Sequence, residues 1–534
     1  MAHRVVYKCP DGRDFPVDWE DPSEAERTWR VDREHFIEPA TPLERATMSS
    51  QRRGLERAFG DLGIENPLTE GARSPHGFIY VAQPNFQRMS VTFGQLAALS
   101  ERHGGPSIFW GEVCLPKVRE CCRLLDEMGG DASIVEIRDL ERYSWAITIT
   151  SALSEVEALR RLEAFCRELL GEDGPSTVGD LAQGHLNTSV ETAAELWQLA
   201  DMVKEFAPIR DLLVGADVPW SQRIERLKEH KDFWRRFEDF LGAYGDRAEV
   251  WQLSSPTWRE RPETPLSIVA GLVRGGVESP LLSLDRAGLR RQERFDAIER
   301  LLAGSPEELA RFRALAAITD DYAKNRESRA HWQLTGTGKA RLAWLRVGER
   351  LVLESRIEQP DDIFFLLPEE VASTAIDLRA AVEDRKQEWQ SWRAAIPPPF
   401  IGADPGEGGA SPFASIVGTA EQAGDHMADV IHGVSASKGL FTGRARIIAS
   451  PADGVRLSKG EVMVCQMTAP PWTPLFAIAG AVVTETGGAL AHAAIVAREY
   501  GIPAVVGARG ATRRILDGDT VTVDGTNGIV RLGV

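Results

Sequence analysis

Residues 481–507 read AVVTETGGALAHAAIVAREYGIPAVVG. The apolar run ending near Thr484 predicts a strand of the buried kind. Gly487 and Gly488 follow, and a helix is expected from about Leu490 to Tyr500. Gly501 is a fitting terminator because glycine takes the left-handed conformation at little cost, and Pro503 stops any continuation. His492 then sits in the first turn of that helix, where unpaired backbone N–H groups and the positive dipole end favour an anion. Gly487 and Gly488 let a phosphate approach the backbone without a Cβ in the way, and Thr484 and Thr486 add hydroxyl donors. An imidazole so placed can accept a phosphoryl group while the helix terminus offsets its charge. A lone histidine in a Gly-rich turn more often caps or packs a helix start, so the wider pattern has to decide.

Outward from this stretch the texture stays that of short strands and turns. GRARIIAS, GEVMVCQM and PAVVG are further strands, and DTVTVDGTNGIVRL predicts a terminal hairpin turning at Gly525-Thr526-Asn527-Gly528. Together they predict a small α/β domain at 431–534. Before it, 396–430 carries Pro and Gly at a density that predicts a linker (IPPPFIGADPGEGGASPFASIVG opens it). Residues 1–395 read as a large, mainly α-helical (α+β) domain. Apolar residues recur at three- and four-residue intervals in 154–170, 191–214, 223–245 and 305–355. GFIYVAQ (77–83) and SWAITIT (144–150) read as β pieces, and residues 1–75 as irregular. Thirteen of the fourteen tryptophans precede residue 400, which fits core filling or an aromatic pocket.

Composition narrows the classes of function. A chain of 534 residues with 43% hydrophobic and 26% charged residues is an ordinary multidomain globular protein. Its net charge of −17 argues against a nucleic-acid partner, because phosphate backbones demand a basic face. No apolar run is long enough for a membrane span, and the N-terminus has no apolar signal core. The six cysteines form no C-x-x-C pair, so neither a zinc site nor a disulfide framework is expected, and the compartment expected is the cytoplasm.

The longer pattern around His492 resembles the phosphohistidine domain of the phosphoenolpyruvate-utilising enzymes. The residues that carry the resemblance are Thr484-x-x-Gly487-Gly488-x-x-x-His492-x-Ala494-Ile495, then Ala497-Arg498-Glu499 and Gly501-Ile502-Pro503-Ala504-Val505. Upstream, Gly433-Val434-Ser435-Ala436-Ser437-x-Gly439, Gly443-x-Ala445-Arg446 and Pro471-Trp472-Thr473-Pro474-Leu475-Phe476 also fit. One departure is Ala491, where relatives often place Ser. The resemblance implies that His492 carries a phosphoryl group, that Thr484, Thr486, Gly487 and Gly488 bind it, and that the domain swivels between a donor and an acceptor.

Before residue 395 the resemblance is to rifampin phosphotransferase and the split phenyl- and alkylphenyl-phosphate synthases. It rests on Trp29-x-x-Asp32-x-x-His35-Phe36, Gln183-Gly184-His185-Leu186-Asn187, Tyr244-Gly245-Asp246-Arg247, Arg326-Glu327-x-Arg329 and Pro360-Asp361-Asp362. It implies a substrate-binding, phosphohistidine-carrying subunit of an ATP-dependent aryl phosphate synthase that forms AMP and phosphate. The acceptor would be a phenolic hydroxyl such as that of 4-cresol. No phosphate loop is read in this sequence, so ATP and Mg2+ are expected on an ATP-grasp-type partner subunit. The alternatives are a rifampin-type antibiotic phosphotransferase component and a non-catalytic phosphohistidine carrier. Candidates for the base or for substrate binding are His185, Arg247, Arg326, Glu327, Arg329 and His331. Glu327 and His331 lie four apart, on one face if the segment is helical. Asp361 and Asp362 are expected to cap a loop, and no metal ligand is assigned.

Overall fold

The structure is a computed structural model. It describes residues 3–33, 35–48, 50–68, 71–82, 86–171, 174–215, 218–373, 377–403, 429–489 and 491–533. The chain divides into two compact units that do not follow its order. One comprises Met1–Glu157, Val250–Pro256 and Trp332–Gly409, the other Ala158–Glu249, Thr257–His331 and Ala410–Val534. Residues 158–249 and 257–331, read from sequence as part of one domain ending at 395, thus group with the C-terminal segment.

The first unit is richer in strands than its sequence suggested. His3–Lys8 and Asp14–Trp19 form an antiparallel hairpin, and Thr28–Val31 is a strand, so residues 1–75 are not irregular. Alternation is the cause: Phe15, Val17 and Trp19 are buried while Asp14 and Asp18 are exposed. A four-stranded antiparallel sheet runs in the order Ala72–Arg73, Tyr80–Ala82, Thr28–Val31, Phe400–Gly402. Its last strand lies in the stretch expected to be linker. Ile401 is buried beside Trp29 and Tyr80, and that apolar side chain outweighs the breakers around it. Residues 404–428 of the expected linker lie outside the described residues.

SWAITIT is also corrected: it belongs to the 37-residue helix Ile134–Leu170. β-branching is a weak preference that packing overrides. Ala146 and Ile147 are buried in the helical core, and the hydroxyls of Thr148 and Thr150 donate to the carbonyls of Trp145 and Ile147. Asp362 caps a turn as expected, its Oδ2 accepting from the amides of Glu358 and Gln359 at 3.0 and 3.1 Å.

The second unit joins a set of helices to an eight-stranded sheet. The strand order is Val430–His432, Ile529–Leu532, Thr520–Asp524, Leu440–Ile447, Val462–Cys465, Ala481–Thr484, Ala504–Val506, Val434–Ser437. The four strands from Leu440–Ile447 to Ala504–Val506 are parallel, and Val462–Cys465, Ala481–Thr484 and Ala504–Val506 are buried throughout, as their unbroken apolar runs require. The terminal hairpin pairs Val521 with Leu532 through Asp524 with Ile529, as expected. Helix Glu263–Gly275 lies against the turn Pro451–Arg456, where a Cβ on Gly271 would meet the Gly454 carbonyl oxygen at 2.9 Å. Glycine permits that approach, and Ser267 Oγ locks it by donating to the Ala452 carbonyl at 2.6 Å.

Candidate active site

The helix after strand Ala481–Thr484 is observed at His492–Tyr500, so His492 is its first residue. The helix connects Ala481–Thr484 to the parallel strand Ala504–Val506, and the turn 485–489 follows the carboxyl end of Ala481–Thr484. That is where open α/β sheets place ligands. Ala491, at the helix start, contributes no side-chain cap. Gly487 has φ +105°, a conformation that L side chains resist, and a Cβ there would lie 3.0 Å from that of Ala491. Gly501 ends the helix with φ +67°, as expected.

Two expected phosphate donors are otherwise engaged. Thr484 Oγ1 donates to the Thr486 carbonyl at 2.6 Å, and Thr486 Oγ1 to the Gln466 carbonyl at 3.3 Å. They shape the turn. Arg498 reaches back from the same helix, donating to the carbonyls of Ala436 and Ala489 at 2.7 and 2.9 Å, and so ties the Gly-rich turn to a neighbouring strand.

Both imidazole nitrogens of His492 have neighbours. Nδ1 lies 3.3 Å from Glu327 Oε2, and Nε2 lies 3.2 Å from the hydroxyl of Thr473. The edge of Phe476 closes one side. Glu327 stands on helix Pro306–Leu353 and is buried. Burial alone would raise its carboxyl; the charge and contact of His492, the Ser189 hydroxyl donating at 2.5 Å and the charge of Arg326 hold it instead at about 2. A carboxylate so stabilised is a poor proton acceptor. It lies beside Nδ1 and favours the tautomer protonated there, which makes Nε2 the nitrogen with the lone pair and the acceptor of the Thr473 hydroxyl.

A second carboxyl behaves oppositely. Glu499, on the His492 helix, is buried, and burial together with the nearby Glu327 charge pushes it up to about 8, although Asn187 Nδ2 donates to it at 3.2 Å. The two carboxyls are shifted in opposite directions, Glu499 in part by the Glu327 charge.

Glu327 and His331 do share a helix face. His331 is buried, and that burial, with Arg247 nearby, pushes its imidazole down to about 3. This candidate is therefore a neutral ring, packed T-shaped against Tyr244 with centroids 6.0 Å apart. Arg247 is buried, with its guanidinium 4.3 Å from the centroid of the Trp258 ring. Arg329 is buried and Arg326 half-buried on the Glu327 helix. His185 is not brought to His492. It pairs with Asp320 at 3.0 Å, and Arg291 Nη1 lies 2.7 Å from both the His185 Nδ1 and the Asp320 carboxylate. Among the described residues no group of three or more His, Cys, Asp or Glu comes together as a metal site.

Sequence reasoning gave no role to Ser189, Thr473 or Glu499. The last two stand inside quoted motifs; Ser189 carries no signal beyond following the Asn187 cap.

Residues 457–528 match the family model described as PEP-utilising enzyme, mobile domain, and residues 148–327 match that of the rifampicin phosphotransferase fourth domain. The chain carries the mobile domain of the phosphoenolpyruvate-utilising enzymes. His492 and Thr473 lie within the matched mobile domain, and Ser189, Arg247 and Glu327 within the matched fourth domain. The uncharacterised phosphotransferase YvkC of Bacillus subtilis is 31% identical over 69% of this chain and 45% of its own length. Rifampicin phosphotransferase of Streptomyces sviceus is 28% identical over 72% and 44%. Chondramide synthase cmdD of Chondromyces crocatus is 28% identical over 98% of this chain but 14% of its own length. The chain spans less than half the length of these curated relatives. Among the described residues no helix is long and apolar enough to cross a membrane.

Proposed function

We propose that this protein is a phosphotransferase in which His492 carries a phosphoryl group to a hydroxyl of an organic acceptor. The observation that carries the reading is the contact of His492 Nδ1 with the buried Glu327 carboxylate at the start of an uncapped helix. With Nδ1 protonated, the Nε2 lone pair attacks the donor phosphorus. The N–P bond forms as the donor P–O bond breaks, and the donor leaves with that electron pair. In the second step the acceptor oxygen attacks, the N–P bond breaks and its pair returns to Nε2. The acceptor's proton passes to a base or to water. Thr473, whose hydroxyl already faces Nε2, stands beside the bond that forms and breaks.

The donor in this reading is ATP with Mg2+ held by an ATP-grasp-type polypeptide, as the resemblance to the split aryl phosphate synthases implies. For the acceptor, the match of 148–327 to a rifampicin phosphotransferase domain favours a hydroxyl of an antibiotic-like natural product. A phenol is the second reading, favoured by the aromatic groups Tyr244, His331 and Trp258 near Arg247. The test is to mix the chain with an ATP-grasp-type module, ATP, Mg2+ and either rifampicin or a panel of phenols including 4-cresol. AMP and a phosphorylated acceptor are expected. Product formed equally by His492→Ala would overturn the carrier role.

A further inference from the structure

Arg247 is 1% exposed, and its guanidinium is only partly used. Nη1 reaches the Thr192 hydroxyl at 3.5 Å, at the limit of a hydrogen bond, and the Trp258 ring supports the plane at 4.3 Å. Nε and Nη2 are buried and find no acceptor among the described residues. These two nitrogens form one edge of the guanidinium, the edge that grips two oxygens at once. This chain uses the same edge repeatedly. Nε and Nη2 of Arg4 hold Asp18 at 2.7 and 2.7 Å, those of Arg379 hold Asp377 at 2.9 and 2.8 Å, and those of Arg446 hold Glu461 at 3.1 and 2.7 Å. In Arg247 the same fork is preserved, buried and without its oxygens.

Its place relative to His492 follows from two helices. On Thr188–Val203, Ser189 touches Glu327 and Thr192 touches Arg247; three residues separate them, about 4.5 Å along the axis. On Pro306–Leu353, Glu327 touches His492, and His331, one turn on, faces the ring of Tyr244, three residues before Arg247. The fork therefore lies roughly one helical turn from the carboxylate that contacts His492. Several groups face it. Tyr244, Glu327 and Glu249 act on the guanidinium electrostatically, burial keeps the His331 imidazole neutral, and the Glu327 carboxylate lies against His492.

We propose that the Nε–Nη2 edge of Arg247 is an oxyanion receptor beside the Glu327–His492 pair, taking two oxygens of a phosphoryl group or of a carboxylate on the acceptor. The receptor rests on the phosphotransferase reading only for the source of its anion. A guanidinium fork is planar and bidentate, whereas a lysine ammonium is a point charge, so Arg247→Lys keeps the charge and loses the grip.

The test is equilibrium binding to the full chain without nucleotide or turnover. Inorganic phosphate and benzoate are titrated by calorimetry into the wild type, Arg247→Lys, Arg247→Met and His492→Ala. At least one anion is expected to bind the wild type and His492→Ala alike, and to bind both Arg247 variants about tenfold or more weakly. Phosphate binding assigns the site to the phosphoryl group, and benzoate binding to an acceptor carboxylate; either supports the receptor. Because a buried substitution can unfold the chain, a second readout keeps position 247 intact. Anion binding beside the stacked Trp258 indole should change tryptophan fluorescence, and Trp258→Phe should remove that change. Absence of Arg247-dependent binding of both anions, or a wild-type fluorescence that neither anion alters, overturns the receptor. Retained binding in His492→Ala with no phosphoryl uptake at His492 in the wild type would sink the carrier reading and leave the receptor standing.

Discussion

The second unit holds two histidine–carboxylate pairs, His492–Glu327 and His185–Asp320, and they are built for different ends. In the His185 pair the Asp320 carboxylate also accepts from Arg291, and Lys324 lies 2.8 Å away. Partial burial would raise Asp320, but His185, Lys324 and Arg291 hold it far below the usual carboxylate range. The single Asp320 carboxylate is shared by Arg291, Lys324 and His185, and the cluster is a strut that ties helix Pro280–Leu301 to helix Pro306–Leu353 and to the 182–187 turn. In the His492 pair the carboxylate has one imidazole and one hydroxyl, and the imidazole keeps its second nitrogen against a neutral threonine. A carboxylate beside a histidine does not by itself make an active group. What separates the pairs is whether a nucleophilic nitrogen is left over and whether an unfilled helix start lies beside it.

The widest gap between the pairs should appear in phosphoryl uptake. Incubated with the histidine-phosphorylating reagent phosphoramidate, the wild type should gain an acid-labile phosphate, read by phosphorus NMR. His492→Ala should lose that signal by three orders of magnitude or so, since no other group replaces the nucleophile. His185→Ala should take up phosphate within about twofold of the wild type. Equal losses in the two variants would erase the distinction.

The carboxylates should separate next. Glu327→Gln removes the charge that holds the Nδ1 proton, and uptake should fall about 10- to 100-fold. Because the folded-state carboxyl stays ionised down to about 2, the loss should be present across the neutral pH range. Asp320→Asn should leave uptake unchanged but cost about 1 kcal/mol in urea unfolding, because the pair it breaks is partly exposed and screened by solvent. A Glu327→Gln variant that is slow only because it is unfolded would show the loss in both measurements.

Sequence legibility divided along the same line. Strands 440–447, 462–465, 481–484 and 504–506 and the helix after Gly488 were readable, because each is local: a short apolar run, a glycine at a forced turn, a proline stop. His492 was readable for the same reason. Its partners were not. Ser189 and Glu327 stand 303 and 165 residues before it in the chain (492 − 189 and 492 − 327), and no spacing rule joins residues that only tertiary packing brings together. Glu327 was proposed through a short motif together with Arg326 and Arg329, and His331 through its four-residue spacing from Glu327, yet spacing could not tell that burial makes His331 neutral. His185 was misjudged by the opposite route, since its pairing partners Asp320 and Arg291 belong to no motif. In the first unit, Phe400–Gly402 was hidden by the Pro- and Gly-rich residues around it, although Ile401 has a core to enter.

The smallest expected effect concerns the third carboxyl, which only the His492 corner possesses. Burial and the Glu327 charge push Glu499 up to about 8 in the folded protein, against about 4.3 in an unfolded chain. Between those values the folded state holds a proton that the unfolded state releases. The associated stability is complete below about pH 4.3 and is lost as pH rises towards 8. Wild-type Tm should therefore fall across pH 5.5 to 8, by roughly 2–6 °C if this carboxyl dominates. Glu499→Gln stands in for the protonated acid, keeps a carbonyl for Asn187, and should flatten that slope while matching the wild type at pH 5.5. The His185 cluster has no such acid, so Asp320→Asn should leave the slope in place. A slope that survives Glu499→Gln would mean that the two carboxyls do not share one proton, and that the His492 corner is electrostatically closer to the strut than its geometry indicates.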